Sequence, residues 1–251
     1  MIYAIAQNEF KRMFLSPLAW TILAVVQVIL ALLMLILTDN FLNEVQPRYA
    51  GMEGAPGVTD AIVSPLLLWA GIVMLAVSPL ITMRLISEER QTGSLPLLIS
   101  SPVTISEIVL GKYLGLMMFY ALMVGMIALM PLVLAASGGL DWGKLAAGLV
   151  GLFLLLGSFA AAGLYLSCLA QQPMVAALGS FGLLMLLVIF YIAGKSQAEG
   201  SAFFVYISHF GHFLAFLDGL FDSTDFVYYL LFIATFLILS IRRLDNLRLM
   251  R

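Results

Sequence analysis

Leu145–Ala170 reads LAAGLVGLFLLLGSFAAAGLYLSCLA and holds no charged side chain. A membrane-crossing helix needs roughly 20 mostly apolar residues, and this stretch exceeds that length. Gly148, Gly151, Gly157, Ala161 and Gly163 are spread along it. Small residues at such positions let helices approach one another closely inside a bilayer. The stretch is therefore read as a transmembrane helix whose small residues permit close packing.

Five more stretches qualify on the same test: Leu18–Leu37, Ile62–Met83, Tyr113–Ala136, Met174–Ile192 and Phe226–Ile241. Over the 251 residues, 63% are hydrophobic and 10% charged, with a mean hydropathy of +1.08. Soluble domains carry roughly 45–50% apolar and ~25% charged residues. The expected fold is an all-α integral membrane protein of six transmembrane helices. The first apolar run is too long for a signal peptide, and no small-residue cleavage pattern follows it. The net charge of −2 leaves no nucleic-acid footprint. The single cysteine, Cys168, excludes an intramolecular disulfide and a cysteine-rich metal site.

Loop charge orients the chain. With the N-terminus inside, the inner segments hold Lys11, Arg12, Arg84, Arg90, Lys112, Arg242, Arg243, Arg248 and Arg251, against Arg48, Lys144 and Lys195 outside. This positive-inside bias places both termini in the cytoplasm. Acidic residues such as Asp39, Glu44, Asp60, Asp141, Asp222 and Asp225 then collect on the outer face.

Two inner segments are patterned. IAQNEFKRMFLSPLAW, Ile5–Trp20, mixes apolar Phe10, Met13 and Phe14 with polar Glu9, Lys11 and Arg12. It suits a helix lying in the membrane interface, halted by Ser16-Pro17. SEERQTGSLPLLISSPVTISEIVLGK, Ser87–Lys112, carries Glu88 and Glu89, a turn at Gly93, an apolar patch at Leu95, Leu97, Leu98 and Ile99, and a break at Ser101-Pro102. Thr104 and Glu107 have capping-box spacing for a helix start. A short surface helix with Ile105, Ile108, Val109 and Leu110 beneath a polar edge is expected there. It would offer a docking surface to a peripheral partner.

The pattern Glu-Glu-Arg-x-x-Gly-Ser-x-x-x-Leu-Leu-x-x-x-Pro-Val, followed by Glu-x-Val-Leu-Gly-Lys, resembles the first cytoplasmic loop of ABC-2 type transporter permeases. The similarity is closest to the gliding-motility-associated subfamily. EFKRMFLSPLAW is similar to the family's N-terminal elbow helix, SCLAQQPMVAALGSF to its junction of fourth and fifth spans, and GHFLAFLDGLFDSTDFVYYLLF to its last outer segment and sixth span. Ser94 stands where Thr is commoner, and Pro96 where an acidic residue is usual.

The resemblance implies one transmembrane domain over residues 1–251. It would have an elbow helix at 1–17 (with Phe10, Lys11, Arg12 and Phe14), a cytoplasmic coupling loop at 84–112 and a re-entrant or interfacial outer segment at 194–224. Glu88, Glu89, Gly93 and Ser94 would set loop geometry and contact a cytoplasmic ATP-binding subunit. Pro102, Ile105, Glu107, Gly111 and Lys112 would form the docking element and its return to the membrane. A second permease copy, identical or similar, completes the unit, surrounded by membrane lipid. The implied setting is the bacterial inner membrane. The implied function is ATP-driven export of an amphipathic, lipid-linked or large substrate. The alternative is an ATPase-coupled subunit that signals mechanically to a periplasmic accessory protein without transport.

The chain itself is expected to hold no cofactor and to be no enzyme; ATP and magnesium would bind the partner. GGLDWGKL, Gly138–Leu145, falls short of a P-loop because Leu145 has no hydroxyl for the metal. His209 and His212 have the spacing of a metal pair but no adjacent carboxylate or cysteine, so an interfacial role is expected. Met117, Met118, Met123, Met126 and Met130 in the third span read as flexible packing rather than copper ligands. An intramembrane enzyme would need a nucleophile–base or metal constellation in the spans, and none is legible.

Overall fold

The computed structural model describes residues 1–49, 56–94, 103–137, 139–194, 204 and 206–249. Among these the elements are helical. Helix α1 spans Ile2–Leu15. Helix α2 spans Pro17–Asn40 and continues through a π-helical turn, Phe41–Val45. Helix α3, Ser64–Thr82, follows a similar turn at Thr59–Val63, and α4 spans Arg84–Gln91. Then come α5 (Ile105–Leu132), α6 (Trp142–Leu169), α7 (Pro173–Gly194), α8 (His209–Leu217) and α9 (Ser223–Leu249). Among the described residues six helices are long and apolar enough to cross a membrane.

Local chemistry sets their ends. The Ser16 hydroxyl accepts the Leu18 N–H, and Pro17 opens α2 where its missing N–H costs nothing. Asp141 accepts the N–H groups of Gly143 and Lys144 at the start of α6. Thr104 and Glu107 form the full capping box that opens α5. That helix then runs unbroken to Leu132, so Ile105–Leu110 are its first turns and not a separate short helix. Gly111 is the one weak helix former between the cap and Tyr113, and a lone glycine costs only ~1 kcal/mol. The helix that carries the third apolar run therefore begins at Ile105, ahead of Tyr113.

Helix α6 is the centre. Of its most apolar stretch 72% is buried, against 17% in α2 and 22% in α7 and α9. It packs on α3, α4, α5, α7, α8 and α9. Its glycines are contact points, as their spacing predicts. A Cβ at Gly148 would fall 2.6 Å from Leu67, at Gly151 2.6 Å from Phe216, and at Gly163 2.6 Å from the Thr82 Cβ. Outer α2 and α7 keep broad apolar faces, including the exposed Leu35, Ile36, Leu178 and Ile192, that none of the other described residues covers.

Helix α8 lies inside the bundle. The His209 ring stacks at 6.4 Å on Phe159, Phe216 meets Gly151, and Leu217 meets Gly148 and accepts a hydrogen bond from Ser64. Its nine residues thus run beside α6 from deep in the bundle toward the Trp142 end. Within the segment expected to be re-entrant or interfacial, His209–Leu217 is a nine-residue helix packed against α6.

Candidate functional site: an ionic clamp at the loop ends

Ile105, Ile108, Val109 and Lys112 share one face of α5 at helical spacing and are all buried. The face that buries the aliphatic side chains therefore also buries an ammonium. Lys112 is 2% exposed. Its Nζ donates to Glu89 Oε1 at 2.7 Å and to Glu9 Oε2 at 3.1 Å. Arg12 Nη1 reaches the same Glu89 oxygen at 3.5 Å, and its Nη2 lies 3.9 Å from Glu88. A buried charge is tolerable only when paired and hydrogen-bonded. Here Glu89 and Lys112, the two ends of the sequence motif, pair with each other, and helix α1 pairs with both. The second Glu89 oxygen is buried and has no hydrogen-bond partner among the described residues.

Glycine brings α1 close enough. A Cβ at Gly111 would lie 2.7 Å from the Ile5 side chain, and one at Gly115 would lie 2.8 Å from the Ala6 carbonyl. Ala6 is 2% exposed. Gly111 and Gly115 thus form a groove on α5 into which α1 sinks, the small-xxx-small device of packed membrane helices. Aromatic rings fix the far end of α1. Phe14 packs 4.9 Å from Phe10, 5.3 Å from Trp20 and 5.7 Å from Phe119, and the Trp20 indole donates to the Phe14 carbonyl at 2.9 Å.

Helix α4 is fastened on its other side to α6. The Arg90 guanidinium donates to the carbonyls of Cys168, Leu169 and Ala170 at 3.0–3.3 Å. These belong to the last turn of α6, where carbonyls lack helical partners and a cation is favoured. The Ser167 hydroxyl accepts the N–H groups of Ile86 and Ser87, each at 3.0 Å. Helix α4 then closes at Gly93, whose φ of 72° lies in the left-handed region that glycine adopts without strain. Thr92 donates back to the Glu88 carbonyl and Ser94 to that of Glu89.

The residues singled out in the sequence therefore divide. Glu89 and Lys112 are interior, and their observed contacts are within this chain. Ile105 is core. Glu107 caps α5, and Gly111 seats α1. Phe10 and Phe14 anchor α1, Arg12 belongs to the clamp, and Lys11 is exposed. Gly93 is exposed and Ser94 half-buried. Pro102, Pro96 and the patch Leu95–Ile99 lie outside the described residues. Sequence reasoning missed Glu9, Gly115, Arg90 and Ser167 as site residues. Among the described residues no group of three His, Cys, Asp or Glu could hold a metal.

No curated protein matches the chain significantly. The model of the family described as ABC-2 family transporter protein matches residues 3–246, and the chain belongs to that family.

Proposed function

We propose that this chain is the permease half of an exporter, in which the clamped loop receives the power stroke of a separate cytoplasmic ATPase. Membership of the family makes it a multi-pass membrane subunit of an ABC transporter, not itself catalytic, and implies an ATP-binding partner. One observation carries the finer reading. Both ends of the 84–112 segment, helix α1 and the end of α6 are joined in a single ionic and hydrogen-bonded cluster. A mere connector between spans needs no buried ion pair across its base.

In this reading α1 is the elbow helix at the cytoplasmic interface, and Gly93 and Ser94 set the exit of the loop toward the ATPase. Glu88, on the clamp's rim, is the acidic group left for that subunit. Export of an amphipathic, lipid-linked or large substrate is supported by grooves of about 570 and 460 Å³ flanking α1, lined almost wholly by apolar side chains such as Phe10, Trp20, Leu122 and Phe153. The loop motif favours the gliding-motility-associated subfamily, in the bacterial inner membrane, working as a dimer of permeases.

The test is to tag the protein, extract it in mild detergent and identify what co-purifies. The expected result is a stoichiometric P-loop ATPase that is lost in Gly93→Val while the chain stays folded. A stable complex devoid of any ATPase would overturn the proposal.

A further inference from the structure

At the opposite end of the bundle two histidines sit on α8, and their hydrogen bonds fix where their protons are. His212 Nε2 lies 2.9 Å from the Tyr206 carbonyl oxygen. A carbonyl only accepts, so Nε2 carries a hydrogen. His212 Nδ1 lies 2.5 Å from Asp225 Oδ1. An ionised carboxylate also only accepts, so Nδ1 would carry a second hydrogen and the ring would be an imidazolium. If Nδ1 is bare, the Asp225 carboxyl must carry the hydrogen instead. Both assignments place one proton between the two side chains, in addition to the one on Nε2. The Tyr228 ring stacks on His212 at 4.0 Å, a geometry that favours a cationic imidazole.

His209 provides the contrast. The Tyr228 hydroxyl donates to the Ile207 carbonyl at 2.6 Å, so it accepts from His209 Nδ1 at 2.9 Å. His209 Nε2 is then left bare and buried, with the rings of Phe159, Tyr229 and Phe232 around the imidazole. Among the described residues, the titratable groups seen in contact with His212 or its ring partners are Asp225 and Tyr228 from α9, Tyr206 from the segment leading into α8, and His209 on α8 itself, while α7 also packs on α8. Helix α6 contributes Phe159, against His209, and α3 contributes Ser64, against Leu217.

We propose that His212 and Asp225 form a single-proton binding site that locks α8 and its lead-in residues onto α9 when occupied and releases them when empty. With the proton gone, the single hydrogen left on the ring cannot serve both the Asp225 carboxylate and the Tyr206 carbonyl, so one of the two contacts sets lone pair against lone pair and is lost. Both side chains keep some access to water, at 9% and 13% exposure, so the proton can exchange.

An asparagine separates this from ordinary packing. Its amide N–H can donate to a bare Nδ1, which keeps the contact with no titrating proton. The experiment is hydrogen–deuterium exchange on the full chain in detergent micelles, corrected for the pH dependence of intrinsic exchange. In the native protein, protection of Tyr206–Leu217 falls at least about tenfold between about pH 6 and about pH 9. In Asp225→Asn it stays level, and in Asp225→Ala it is low at both. A level native profile overturns the proposal, as does an equal fall in native and Asp225→Asn. Protection along α6 reports folding, and if Asp225→Ala loses it, the native and Asp225→Asn profiles decide between them.

Discussion

Replacing Lys112 with Met removes the centre of the clamp while keeping its length. At an effective dielectric of about 20, the ammonium attracts Glu89 at 2.7 Å by about 6 kcal/mol and Glu9 at 3.1 Å by about 5 kcal/mol. Burying three charges offsets much of that attraction. What the substitution leaves behind is decisive: two carboxylates, 12% and 10% exposed, with only Arg12 beside one of them. Breaking a buried pair in this way costs ~3–5 kcal/mol. For a chain this size that lowers the unfolding midpoint by about 6–20 °C, at ~2–4 °C per kcal/mol. Neutralising the orphans as well, in Glu9→Gln/Glu89→Gln/Lys112→Met, should restore most of the loss, because a polar but uncharged trio tolerates burial. The assay is thermal unfolding of the detergent-extracted protein for the single and triple variants. A drop below about 2 °C for Lys112→Met would refute the clamp as a folding element. A triple variant no more stable than the single one would refute the charge-burial reasoning.

Gly115→Ala should destabilise by ~1–3 kcal/mol, because its Cβ meets backbone at Ala6 that cannot yield. Faster tryptic cleavage after Lys11 and Arg12 would show α1 lifting from α5, and an unchanged rate would count against the groove. Gly93→Ala should cost ~1–2 kcal/mol through backbone alone, as no atom of the described residues lies within 4 Å of its Cβ site. Gly93→Asn should cost less, and equal midpoints for the two variants would contradict the left-handed assignment. Arg90→Lys keeps the charge but loses the planar fork to three carbonyls, and should cost on the order of 1.5–3 kcal/mol. Faster amide exchange at the end of α6 would reveal it.

The transmembrane architecture was legible because it is written in runs of neighbouring residues. Leu145–Ala170 reads as a span from its apolar length and as a close-packing one from its small residues, and each of its glycines meets a side chain of another helix. The Thr104–Glu107 cap was equally local. Its continuation was not, since whether a helix stops after three turns or runs on depends on what it packs against. The clamp was illegible for a different reason. Glu9 and Lys112 are 103 positions apart, and Arg90 finds its carbonyls 78 to 80 positions on. One signal was present and unread. Gly111 and Gly115 stand four apart beside Lys112, so a small-residue groove flanks a charge on a helix otherwise bound for lipid. That juxtaposition asks for an acidic partner helix, and Glu9 on α1 supplies it.

Helix α4 is held at two places, by Arg90 and Ser167 on α6 and by Glu89 on α5 and α1. A rod tied at one point can swivel in any direction. Tied at two, it keeps only rotation about the line joining the knots. If the 84–112 segment carries load, as the proposed coupling role requires, tilting α4 alone would not absorb it, and it would reach α1, α5 and α6 together.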